Sequence, residues 1–180
     1  MTWSMPKLLA GALVAAVAGT AAGSTTSAAA QTATPRCTTA GLAVWLGVGP
    51  GGAAAGSTSY PLELTNVSGR TCHLLGFPGV SAVAGGAQAG SAAGRDSSVP
   101  ARTVTLKPGA SAHAVLRIAD VSAFPPATCR PVRAAGLRVY PPGAFRSAVV
   151  PFRFRACSRK GPVFLDVTAV QPRVGVPGHP

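Results

Sequence analysis

Four cysteines, three histidines and four carboxylates are the scarce reactive groups of this 180-residue chain. Cys72 and His73 stand side by side, and a neighbouring thiol and imidazole suit a metal site or an activated nucleophile. The spacing of Cys37, Cys72, Cys129 and Cys157 argues otherwise. No pair is spaced C-x-x-C, so neither a zinc knuckle nor a thioredoxin-like redox pair is indicated. An even number of cysteines in an exported chain reads as a disulfide framework. Three pairings are open, and sequence order favours Cys37 with Cys72 and Cys129 with Cys157. His73 and His113 alone are thin as metal ligands, and Met1 and Met5 lie in an N-terminal segment expected to be removed. No metal or cofactor is expected.

Catalytic constellations are equally sparse. Ser111 and His113, two apart on a strand, would share a face, but no carboxylate is placed to orient the imidazole. No G-x-S-x-G occurs, and His179 lies in the C-terminal tail. Glu63, Asp96, Asp120 and Asp166 are the only acids, and structural use of all four is a better reading than a glycosidase pair. Residues 47–52 (GVGPGG) fit G-x-G-x-x-G, yet residues 53–60 (AAAGSTSY) are too short and broken for the helix that must hold a pyrophosphate. The chain is read as a non-enzyme with no catalytic residues. A secreted hydrolase or enzyme inhibitor is the alternative.

Charge is the positive feature. The formal net charge is +12 and the pI about 11.3, with arginine supplying nearly all of it. Such a chain is drawn to anionic polymers or lipid headgroups. Residues 146–160 carry the densest cluster: Arg153 and Arg155 alternate with Phe152 and Phe154, Arg146 precedes them, and Arg159 and Lys160 follow in the next turn. Both central arginines project from one strand face, an expected site for anionic cell-wall or surface polymer. The phenylalanines point the other way, which disfavours nucleic acid, since stacking needs aromatics on the charged face. Another exported protein is the other partner considered, and no feature specifies an oligomer.

The elements that must carry these groups are strands. Residues 42–48, 60–66 and 112–118 alternate apolar and polar positions, and so do 148–154 and 163–170. Glu63, Ser111, His113, Val115 and Arg117 are placed on outward faces, and Ala148, Val150, Phe152, Phe154, Val163, Leu165, Val167 and Ala169 inward. Pro151 suggests an edge strand. Turns are marked at 66–69, 76–79, 85–86, 107–109 and 141–143, residues 90–98 (GSAAGRDSS) read as an exposed loop, and 120–126 as one helical turn. About eight or nine short strands with regular turns predict an all-β, immunoglobulin-like β-sandwich with two disulfides.

Residues 1–30 read as a signal peptide: Lys7, a short apolar run rich in Ala and Gly, and a small-residue site before Gln31. The run is too short for a membrane span, and no cysteine follows it closely to take a lipid. A short linker (31–36), a sandwich domain (37–170) and a disordered Pro/Gly-rich tail (171–180) follow. The mature chain is expected to be extracellular and secreted, free or wall-associated, with no transmembrane segment.

Four runs resemble a known family. They are L-T-N-x-S-x-x-T-C-x-L-x-G-F-P-G-V (64–80), L-K-P-G-x-S-A-x-A-x-L-R-I (106–118), P-A-T-C-R-P-V-x-A-x-G-L-R-V-Y-P-P (126–142) and V-P-F-x-F-x-A-C (150–157). Together they resemble domain of unknown function 4232, a family of exported actinobacterial proteins. The resemblance covers nearly all of residues 37–171. It implies a sandwich domain, no known activity and no catalytic residues to carry over.

Overall fold

A computed structural model describes residues 1–2, 33–48, 52–54 and 56–175. The chain divides into two compact units, Met1–Thr32 and Ala33–Pro180. Residues 3–30 of the expected signal peptide and the second half of the expected tail, 176–180 with His179, lie outside the described residues, as do residues 49–51 of the glycine motif.

The second unit is all-β, with thirteen strands among the described residues. The largest sheet runs β1 (Leu42–Leu46), β3 (Ser57–Asn66), β9 (Ser111–Ala119), β12 (Leu165–Thr168), β7 (Gly94–Asp96). Two short strands join it, β2 (Ala53–Ala54) on β3 and β13 (Gln171–Pro172) on β9. A four-stranded sheet has the order β11 (Ala148–Cys157), β10 (Pro131–Tyr140), β5 (Gly79–Ala84), β6 (Ala87–Ala89). A two-stranded sheet pairs β4 (Cys72–Leu75) with β8 (Thr103–Leu106).

Alternation decides which face is buried. Leu62 and Leu64 of β3 and Ala112, Ala114 and Leu116 of β9 are fully buried. The register sets Leu62 opposite Ala114 and Leu64 opposite Ala112, so large and small side chains fill one layer. Tyr60 of β3 reaches across the core to Phe152 of β11, edge to face at 5.1 Å. The large and four-stranded sheets thus bury their inner faces against each other.

Several expectations change. Residues 90–98 contain β7, which pairs in parallel with β12. Gly94 approaches the Asp166 side chain so closely that a Cβ there would sit 2.6 Å from it. The strands flanking the 107–109 turn do not pair with each other: β8 pairs with β4, and β9 with β3 and β12. Val163 is exposed rather than inward. In 120–126, Asp120 caps a single 3-10 turn (Val121–Ala123), and Pro126 opens a further helical turn, α1 (Pro126–Cys129). The expected linker and tail are both partly paired. Pro35 accepts from the His73 backbone N–H, and Gln171 lies opposite His113 in β13.

Candidate functional site

Two disulfides position the rest of the candidate site. Cys37 bonds Cys72 and Cys129 bonds Cys157, as sequence order favoured. Neither Cys72 nor any other cysteine is free among the described residues. No group of three or more His, Cys, Asp or Glu among the described residues could hold a metal. The second bridge ties α1 to the end of β11, and the Ser158 N–H donates to the carbonyls of Cys129 and Arg130. That staple fixes the hairpin end carrying the basic cluster.

β10 and β11 form an antiparallel hairpin whose register shifts between Ala134 and Gly136. On β11, Phe152 and Arg153 face the single residue Ala135, a β-bulge. Gly136 permits it, because a Cβ there would sit 2.7 Å from the Val150 carbonyl oxygen. Beyond the bulge Arg133 lies directly opposite Arg155, and Arg153 projects two residues away on the same face. All three are exposed and line one concavity of about 470 Å³ with Ala135. Like charges directly opposite on a sheet repel.

The described carboxylates are occupied elsewhere. Asp166 pairs with Arg117 at 2.8 Å, the one ion pair among the described residues. The Ser122 N–H and hydroxyl hold the Asp120 carboxyl below the usual carboxylate range, and the Ser98 hydroxyl, then its N–H, does the same for Asp96. Glu63 is buried, contrary to its expected outward exposure, because residues 171–175 cross over its face. One of its oxygens accepts from the Gly175 N–H at 2.6 Å, and the other has no partner among the described residues. Burial pushes its pKa up, against the lesser pull of the Gly175 bond and of His113.

The remaining predicted basic residues separate into two places. Arg159 and Lys160 are exposed just past the staple, on the basic side, and Arg159 donates to the Ala127 carbonyl. Arg146 is not with them. It sits at the opposite end of β11, roughly 30 Å away along an extended chain, where it lines a separate hollow with Arg36 and the exposed Phe145. Arg133 was missed because it belongs to the other strand. Only the hairpin turn at 141–143 signals that strand's proximity, and the bulge shifts the register from what that turn alone would give.

The Ser–His reading also acquires geometry. Glu63 lies directly across from His113, supplying a carboxylate that spacing did not reveal. His113 nevertheless spends Nδ1 on the Arg173 carbonyl, and the Ser111 hydroxyl pairs with Thr65. His73 likewise donates from Nδ1 to the Thr34 carbonyl and is half-buried rather than free. Each of these histidines anchors one terminal segment of the domain.

These features define a disulfide-stapled all-β domain with a basic hairpin at a sheet edge. A family model described as Domain of unknown function (DUF4232) matches residues 37–171, and the chain belongs to that family. No curated protein matches the chain, and no solved structure does. Its disulfides are those of a protein matured in an oxidising, non-cytoplasmic compartment. Among the described residues no helix is long and apolar enough to cross a membrane.

Proposed function

We propose that this protein is a secreted, non-catalytic binding module that holds anionic cell-wall or surface polymer on the outer face of the β10–β11 hairpin. One observation carries the reading. Arg133 and Arg155 are exposed and directly opposed, Arg153 is beside them, and no acid among the described residues forms an ion pair with any of the three. No direct ion pair among the described residues neutralises these guanidiniums, Asp120 acting on Arg155 only across space, so their mutual repulsion costs stability. A bound polyanion removes that cost, and arginine's planar fork suits phosphate and carboxylate groups. Export by an N-terminal signal peptide and an actinobacterial wall as the destination complete the proposal, consistent with the family resemblance and the disulfides.

The test is retention of the full chain on purified anionic wall polymer at low and high salt. Retention should fall steeply with salt, because the contacts are exposed and screened. It should also fall when Arg133, Arg153 and Arg155 are replaced together by threonine. Salt-insensitive retention, or a triple variant that binds unchanged, overturns the reading.

A further inference from the structure

The basic concavity has a neighbour on the other side of β11. A cleft of about 380 Å³ opens between the two large sheets, within the usual size of small-ligand pockets. Phe154 and Arg155 line both hollows, so residues 154–155 form the wall between them. Inside the cleft, Phe152 and Phe154 lie 5.6 Å apart and tilted by only 31°, and Tyr60 meets Phe152 edge-on. All three rings are half-buried, so each keeps a surface open to a ligand. The cleft also carries Thr58 and the exposed carboxylate of Asp120.

Two chemistries meet here. Aromatic faces attract the C–H edges of a flat or ring-shaped group. Carboxylate, hydroxyl and guanidinium groups take hydroxyls. A lipid chain would strip water from the Thr58 hydroxyl and from the Asp120 carboxylate, and a ring-free polyanion would leave the aromatic surface unused. Asp120 further decides orientation: its charge repels an anion within the cleft, so the anion belongs on the Arg133–Arg153 side of Arg155 and a neutral ring on the Asp120 side.

We propose that the ligand is an anionic glycan, with an uncharged sugar ring in the Tyr60–Phe152–Phe154 cleft and the adjoining phosphate or carboxylate on Arg155, Arg133 and Arg153. This rests on the reading of the basic face as an anion site and specifies the repeating unit that site takes.

The probes are glucose 1-phosphate, glycerol 3-phosphate and glucose, titrated into the full chain at one ionic strength by calorimetry and NMR. Glucose 1-phosphate should bind about five- to tenfold more tightly than glycerol 3-phosphate, the increment of one aromatic contact. It alone of the two phosphates should shift the Tyr60 and Phe152 ring signals, a readout that needs no variant. Tyr60→Leu removes a ring that lines the aromatic cleft and not the basic concavity, and should reduce the sugar increment while leaving glycerol 3-phosphate affinity unchanged. Arg133→Ala should weaken both phosphates. Equal affinity for the two phosphates, with Arg133→Ala still weakening them, overturns the glycan assignment and leaves the anion site standing. If neither phosphate binds, both readings fall.

Discussion

Replacing Glu63 by glutamine should change the pH dependence of stability more than its value at low pH. The carboxyl is 1% exposed, and one of its oxygens has no partner among the described residues. Its folded-state pKa is raised above the ordinary value of 4.5, chiefly by burial, so the folded state holds the proton more tightly than the unfolded state. The stabilisation is therefore fully present below the unfolded pKa and is lost as pH rises from there through the folded pKa. Between those limits stability should fall by up to about 1.4 kcal/mol per pH unit. For a domain of this size that is roughly 2–4 °C of Tm per kcal/mol. Glu63→Gln keeps an acceptor for the Gly175 N–H and removes the titrating charge. Thermal melts of the two proteins from pH 4 to pH 8 should converge in acid and diverge upward, the variant becoming the more stable. Parallel curves across that range would refute the reasoning, because they would mean that Glu63 is solvated and that residues 171–175 do not cover it.

Four further outcomes follow from the same geometry. Gly175→Val should lift the strap, since even a Cβ at 175 would lie 2.5 Å from Pro61 and 3.0 Å from His113; amide exchange at residues 171–175 should accelerate while the β10–β11 hairpin stays protected. Asn66→Ala should cost about 2–4 kcal/mol in denaturant unfolding, because the buried amide bonds the Arg70 and Leu106 carbonyls and receives the Ser68 N–H and hydroxyl. The same burial makes the Asn66-Val67-Ser68 sequon inaccessible once folded, so mass spectrometry after exposing the native chain to a glycosyltransferase should find it unmodified. Replacing Cys129 and Cys157 by serine should cost roughly 3 kcal/mol and should also weaken polymer retention, because that bridge fixes the basic end of the hairpin.

Periodicity made the strands legible where one face meets the core and the other meets solvent. Residues 42–46, 60–66, 112–118 and 148–154 are strands with the inner residues expected of them, and Pro151 does mark an edge. What periodicity cannot register is a covering element that arrives from far along the chain. Glu63 and His113 occupy the outward face that alternation assigns them, yet Gly175, separated from Glu63 by 112 residues, closes over that face. β7 was illegible for a different reason. Its three residues, Gly94–Asp96, have neither β-branched side chains nor alternation, and they are strand because β12 offers them hydrogen bonds.

The candidate site shows the same division between local and distant information. The alternation of Phe152, Arg153, Phe154 and Arg155 is local, and it correctly put two arginines on one face with two aromatics behind them. Grouping Arg146 with them extended a strand face past the strand's own start at Ala148, into the turn. Arg133 needed the opposite step, from one strand to its partner across a bulge that only Gly136 permits. Direct opposition of Arg133 and Arg155 is what distinguishes this surface from scattered basic charge, because repulsion at that spacing gives an anion something to relieve. On the proposed reading, the aromatic cleft behind Arg155 would give the same hairpin a means to discriminate among anions, with charge selecting for sign and the rings for a sugar.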